Sequence, residues 1–473
     1  MQDAVLEFVV TINTYLSNYV LIILLVGMGI WFTIRTRAVQ FRCFAEGWKR
    51  LFGGFSLSGG SHGGAMSSFQ ALATAVAAQV GTGNVVGACG AIILGGPGAI
   101  FWMWIIALLG MATNYAEAVM AQKTKVVDAD GSVHGGPAYY ITTAFKGAGG
   151  KILAGFFAVA IILALGFMGC MVQSNSIAET MNNAFGIPTW LVGAIVVVLA
   201  GVVFIGGVSR LASVTEKLVP IMAIIYIAGA LIVLIMNAAA VPATFALIFE
   251  CAFNPSAAVG GSTFGIIAAI SQGAKRGLFS NEAGMGSTPH AHALANVKDP
   301  HEQGVVAMIG VFVDTIVVVT MTALVVISTF YVGDGALATG DYATLTTDGT
   351  FSKTNIAQLA FGQFFGASVG AWFVAICLLF FAFSTILSWN LFAKLNVEYL
   401  FGKGAVMVFS VIALAFIFMG SILSNDLVWE LADLFNQLMV LPNAIALFAL
   451  SGAVTKCALA HGKGGSESDQ DAA

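Results

Sequence analysis

Apolar runs of membrane-crossing length recur along the chain at residues 17–35, 67–94, 97–123, 151–183, 187–207, 211–237, 259–290, 304–332, 369–399, 404–424 and 434–455. A helix needs roughly 20 residues to cross a hydrocarbon core, so the pattern predicts eleven spans. Residues 355–366, NIAQLAFGQFFG, predict a shorter apolar helix at the outer surface. Two of the eleven runs break the pattern. Ala71–Leu94 carries Gly81-Thr82-Gly83-Asn84 at its middle, and the seventh run has a polar second half, GAKRGLFSNEAGMGSTPHAHA.

Glycines permit non-helical backbone, so Gly81 and Gly83 predict a helix broken at membrane depth, with N–H and C=O groups freed from helical pairing. Such backbone is tolerated only where protein buries it or where it lines a cavity, and secondary transporters use half-helix ends of this kind to hold substrate and ions. The competing reading is a small-residue seam for a neighbouring helix.

Composition agrees with the pattern: 59% of residues are hydrophobic and 9% charged, which excludes a soluble protein and predicts one membrane domain over residues 1–473. The net charge of −4 carries no partner information, and basic residues spread over loops between spans, rather than gathered in one patch, argue against a nucleic-acid partner. Cys43, Cys89, Cys170, Cys251, Cys377 and Cys457 show no CxxC spacing and predict neither a disulfide framework nor structural zinc. The acidic start MQDAVLEF does not read as a cleavable signal, so the first run stays as a span.

Basic residues set the orientation, because cytoplasmic loops are enriched in Lys and Arg. With the amino terminus outside, Arg37, Arg42, Lys49, Arg50, Lys123, Lys125, Lys146, Lys151, Arg210, Lys217, Lys275, Arg276, Lys298, Lys394, Lys403, Lys456 and Lys463 face inward, and residues 456–473 form a cytoplasmic tail. The predicted outer loops hold Lys353 beside Asp334, Asp341, Asp348, Asp426, Glu430 and Asp433. Removing the seventh span would invert every later loop, so charge requires this polar segment to cross. Beyond the extra helix 17–35, the remaining spans form two sets of five, 67–237 and 259–455, that are inverted relative to each other. The second set also opens on an interruption, Ser271-Gln272-Gly273. Matching breaks point to a midplane site.

GTGNVVGACGAIILGGPGAIFWMW at 81–104, GGPAYYI at 135–141 and RGLFSNEAGMGS at 276–287 resemble the alanine/glycine:cation symporter family. The resemblance covers nearly the whole chain. It implies an all-α LeuT-like fold with a five-plus-five inverted repeat, one extra amino-terminal helix and a bacterial inner membrane. It also implies symport of small neutral amino acids, alanine or glycine first, with sodium by alternating access. Proton coupling and glutamine or another neutral substrate are the alternatives, and an ion channel is the alternative from another class. One stretch departs from the family: a tyrosine-rich run ending in Gly-Glu is expected after Trp389, where this chain has Asn390-Leu391-Phe392-Ala393-Lys394.

A zwitterion at membrane depth needs donors for its carboxylate and acceptors for its ammonium. The backbone N–H groups of Thr82 and Gly83, at a half-helix amino terminus, suit the carboxylate. Carbonyls around Gln79, Ile270 and Gly273 suit the ammonium. Resemblance to amino acid transporters of this fold adds Phe167, Gln173 and Trp389 as closing residues, and matches Ser384 and Thr385 with the carbonyls of Ala77, Val80 and Phe381 as an oxygen shell for sodium. Asp314, alone in an apolar span, could complete a second cation site with Asn84, relay a proton, or hold the unwound stretch. Glu282 and Glu117 read as braces or partners of Lys275 and Arg276, and His290 and His292 as solvated groups at the cytoplasmic end of the seventh span. Ser280 and Ser287 lack a histidine base at their depth, and no enzymatic cofactor is expected.

Overall fold

The computed structural model describes residues 2–53, 66–129, 131–254, 258–259, 262–263 and 265–461; of the expected tail 456–473, residues 456–460 are helical and 462–473, Lys463 among them, lie outside the described residues. In chain order, leaving aside short helices in the connections such as Pro137–Ala144, the helices are α1 Leu6–Arg35, α2 Phe44–Gly53, α3 Ser68–Gln79, α4 Gly83–Gly95, α5 Gly98–Thr124, α6 Ala148–Phe185, α7 Thr189–Ile205, α8 Gly207–Met236 and α9 Val241–Phe253. They continue with α10 Ile266–Asn281, α11 Pro289–Ala293, α12 Pro300–Phe330, α13 Ile356–Phe365, α14 Ala367–Phe401, α15 Ala405–Ile422, α16 Asp426–Ala449 and α17 Ser451–Ala460. Among the described residues eight helices are long and apolar enough to cross a membrane, or nine when α3 and α4 count as one bent span. The expected spans 187–207 and 259–290 correspond to α7 and to α10 with α11, which are shorter.

Three features depart from the sequence reading. The first helix starts well before residue 17, and α9 fills the connection between the two halves. It meets α5 so closely that a Cβ on Gly98 would lie 2.3 Å from the Cys251 carbonyl carbon. The largest change concerns the seventh span. α10 runs unbroken through Ser271-Gln272-Gly273, and the chain leaves helical geometry only at Glu282, where φ is +59°. Gly273 is a contact glycine: a Cβ there would lie 2.6 Å from Trp102 Cβ and 2.7 Å from the Ala99 carbonyl of α5. Close helix packing, rather than a turn, explains this residue.

The later break keeps Lys275 and Arg276 among the acidic residues expected outside, not among the inward cations. Arg276 makes a two-pronged contact with Asp433, at 3.2 and 3.0 Å, and lies 4.6 Å over the Trp429 ring. Lys275 reaches Asp433 at 2.8 Å and Glu430 at 3.4 Å. Both cations are buried, so pairing is what makes their burial tolerable.

Around the centre, α5 packs on α10 and α12, α14 packs on α6, α8 and α3, and α15 packs on α6 and α7. On α7, α8 and α15 the exposed faces carry large aliphatic residues such as Val198, Ile205, Ile224, Ile235 and Val411. Apolar surface on that scale fits a lipid solvent.

Candidate functional site

The two chain breaks face each other. α3 closes with Val80 N–H donating to the Val76 carbonyl at 2.7 Å, and Val80 then adopts ψ 89°, which turns its own carbonyl out of the helical direction. α4 departs at 46° to α3. The orphan donors at its start are satisfied by amide side chains: Asn84 Oδ1 accepts from Gly81 N–H at 2.8 Å, and Gln173 Oε1 from Thr82 N–H at 3.0 Å. Gln79 Nε2 donates to the Asn281 carbonyl at 2.7 Å, so one break is tied directly to the other. A Cβ on Gly83 would sit 2.9 Å from Ser280 Cα, so only glycine permits α4 and α10 to approach this closely.

Asp314 anchors this crossing. Its carboxylate accepts from Asn84 Nδ2, from Ser280 Oγ at 2.9 Å and from Thr315 Oγ1 at 2.7 Å. It lies in the π-helical stretch Phe312–Val319, whose widened turn interrupts regular α12 geometry. Asp314 thus reaches the unwound stretch through Asn84, which itself caps Gly81. Of the three sequence readings this geometry matches the brace, made by a side-chain amide rather than by backbone N–H groups.

The second break follows the same logic with a carboxylate. Glu282, Gly284 and Gly286 all have positive φ, and the freed N–H groups of Gly284 and Gly286 donate to Glu117 at 3.1 and 2.9 Å. Asn443 Nδ2 donates to Glu117 at 2.7 Å and to the Gly284 carbonyl at 2.9 Å. Glu282 accepts from Ser287 Oγ and from Trp389 Nε1. Neither glutamate pairs with Lys275 or Arg276. His290 and His292 are buried, contrary to the expectation of solvation: His290 bonds Asn396 Nδ2 at 2.8 Å, and His292 bonds Gln303 Nε2 at 2.7 Å.

Beside the first break four oxygens of the expected cation shell converge. Thr385 Oγ1 is 2.8 Å from the Ala77 carbonyl and 3.1 Å from the Phe381 carbonyl. Ser384 Oγ is 2.9 Å from the Phe381 carbonyl and 3.4 Å from that of Ala77. Thr385 also abuts the break, since a Cβ on Gly81 would lie 2.4 Å from its Oγ1.

Other expected residues lie elsewhere. Ile270 and Gly273 belong to the unbroken α10, so their carbonyls are not freed for a ligand. Phe167 stacks on Phe416 at 4.6 Å and meets Phe409 at 5.4 Å, which places its ring against α15. Trp389 does come to the break: besides Glu282 it meets Phe279 edge-on at 5.7 Å. Phe279, Ser280 and Asn281 were missed as site residues, although the polar run that contains them was visible in the sequence. Among the described residues Thr82 Oγ1, Gln79 Oε1, Ser388 Oγ and both amide atoms of Asn390 are buried without a hydrogen-bond partner.

Residues 2–470 match the sodium:alanine symporter family. The chain belongs to that family. It is therefore an amino acid symporter and a multi-pass membrane protein, not an enzyme. Among relatives, the sodium/alanine symporter AgcS of Methanococcus maripaludis is 38% identical, over 94% of each chain. A Bacillus subtilis protein named "Probable sodium/glutamine symporter GlnT" is also 38% identical, over 95% of this chain and 89% of its own. Among solved structures, MhsT in complex with L-phenylalanine superposes with a TM-score of 0.56 at 14% identity, covering 84% of this symporter and all of MhsT. This likeness places the symporter in the LeuT-like fold.

Proposed function

We propose that this symporter carries a small neutral amino acid, alanine or glycine, together with sodium across the bacterial inner membrane by alternating access. The observation that carries the reading is the convergence of Ser384 and Thr385 hydroxyls with the Ala77 and Phe381 carbonyls against the broken helix. An all-oxygen set suits a hard cation, and the Val80 carbonyl would be its fifth member. Sodium would take the place of the hydroxyl–carbonyl hydrogen bonds, which links its binding to the shape of the break.

The substrate carboxylate is assigned to the start of α4, where Thr82 and Gly83 offer N–H groups and the helix dipole favours negative charge. Gln173 would then yield its place on Thr82 N–H, and Trp389 would close the pocket. Gln79, Asn84 and Asp314 hold the two breaks together rather than touch cargo. The amino terminus is assigned outside and the carboxyl terminus to the cytoplasm, with 67–237 and 259–455 as the inverted halves. AgcS and the glutamine-named relative share the same identity with this chain, so identity alone does not rank their substrates. Uptake of labelled alanine, glycine and glutamine into proteoliposomes tests the reading. Alanine uptake driven by an inward sodium gradient is expected. Uptake driven equally by a proton gradient in sodium-free medium would overturn sodium coupling, and preference for glutamine would overturn the substrate.

A further inference from the structure

At one end of the bundle α2, the start of α12 and α17 bring together three pairs of side chains from distant parts of the chain. Cys43 and Glu46 lie at the entrance of α2, Asp299 and His301 at the first turn of α12, and Cys457 and His461 at the end of α17. The ligating atoms of Cys43, Glu46 and His301 all lie within 4.8 Å of one another, and so do those of Asp299, Cys457 and His461. The two triads share a wall, because the His301 and His461 rings stack at 4.4 Å.

We propose that Cys43, Glu46 and His301 bind a divalent cation of the zinc class, with Asp299, Cys457 and His461 forming an adjoining second position. Thiolate, imidazole and carboxylate together select such an ion, whereas magnesium and calcium take oxygen ligands. Atoms around a tetrahedral zinc lie about 3.3–3.8 Å apart, so each triad need close by only about an ångström. His301 is oriented for the task. Tyr115 Oη lies 2.7 Å from its Nδ1 and 4.0 Å from Cys457 Sγ, so Nδ1–H can donate to the phenol and the phenol to the sulfur. That tautomer leaves the Nε2 lone pair facing Glu46 Oε2 at 3.4 Å, the arrangement in which a ligating imidazole is held through its other nitrogen.

In the second triad His461 Nε2 pairs with Asp299 Oδ2 at 3.0 Å and Nδ1 bonds the Cys457 carbonyl at 3.0 Å, so an ion there would replace the first contact and keep the second; the neighbouring arginines do not enter either triad. Arg50 pairs with Glu46 through the other oxygen, Oε1, at 3.0 Å, and Arg42 donates to the Ala458 and His461 carbonyls rather than to a triad. Glu46 is partly exposed and gives an ion a way in. Cysteine spacing could not reveal this set, since each triad joins distant segments. On the proposed orientation this is the cytoplasmic face, where thiols stay reduced; metal binding itself does not depend on the transport reading. Because α12 packs on both α2 and α3, an ion here would fix the surroundings of the first broken helix and slow its motion.

The test is titration of the purified full-length protein with Co2+, read by thiolate-to-cobalt absorption, followed by displacement with Zn2+. Wild type should show the band, Cys43→Ser and Cys457→Ser should each lose part of it, and the double variant all of it. Glu46→Gln keeps both thiols and should weaken Zn2+ binding about tenfold or more, which keeps the proposal testable if a cysteine variant fails to fold. Absence of the band in wild type, or its survival in a folded double variant, overturns the site. In proteoliposomes Zn2+ should slow alanine uptake reversibly on chelation, and Cys43→Ser should be resistant. A preparation that binds cobalt but takes up no alanine would sink the transport reading alone.

Discussion

At the scale of single residues the decisive groups are those that replace lost helical hydrogen bonds. Ser384 and Thr385 are the sharpest case, because their hydroxyls reach carbonyls of a different helix as well as their own preceding turn. Back-bonding within the helix alone would give no reason for the contact with Ala77. Replacing both by alanine should lower sodium affinity about tenfold or more. By linkage, alanine affinity at fixed moderate sodium should fall too and recover as sodium is raised, measured by binding to purified protein. Loss of stability without rescue by sodium would assign the pair to packing. Asn84 makes a contrasting forecast. Asn84→Leu leaves Gly81 N–H unpaired in a buried site, at a cost of about 1–3 kcal/mol, and takes from Asp314 Oδ1 one of its two donors, Ser280 Oγ remaining at 3.1 Å. A clear drop in melting temperature is expected, and an unchanged one would remove Asn84 from the brace.

At the scale of elements, the two breaks use different chemistry for one problem, amide side chains at 80–83 and a carboxylate at 282–287. The first was legible in the sequence because Gly-Thr-Gly-Asn interrupts an otherwise apolar run. The second was misplaced by about ten residues. Ser271-Gln272-Gly273 looks like an interruption, yet its glycine serves contact with α5, and the true break opens on Glu282, a residue with no bias toward positive φ. The partners that make it tolerable, Glu117 and Asn443, lie far away in sequence, as does Asn396, the partner of buried His290. Patterns along the chain report local preference, and these placements are decided by contacts between helices. Two tests follow. Gly273→Val should destabilise the folded protein by about 1–3 kcal/mol, since the added atoms meet backbone and Trp102, and normal melting would return Gly273 to a ligand role. Glu117→Gln exchanges one acceptor oxygen for a donor that then faces the N–H of either Gly284 or Gly286. It should impair transport while the sodium dependence of alanine binding is retained, and altered sodium dependence would draw Glu117 into coupling.

At the scale of the whole molecule, the run lengths along the chain outlined the bundle, whereas the cation bias bears on its orientation, which side-specific labelling tests. All six native cysteines are buried. A cysteine introduced at exposed Thr347 should react with an impermeant maleimide from outside only, and one at exposed Lys146 from inside only; the reverse pattern would invert the assignment. The buried pairing of Lys275 and Arg276 with Glu430 and Asp433 carries a further consequence at this scale. Moving one uncompensated elementary charge through the membrane potential changes an equilibrium by about 2.3 kcal/mol per 100 mV. Two cations that travel with two carboxylates displace no net charge, so this part of the protein is electrically silent when it moves. On the proposed sodium coupling the zwitterion adds nothing to the current of turnover and each sodium adds one charge, with no contribution from this cluster. Asp433→Asn would unbalance the cluster, and voltage steps applied without substrate should then evoke transient currents that the native protein lacks.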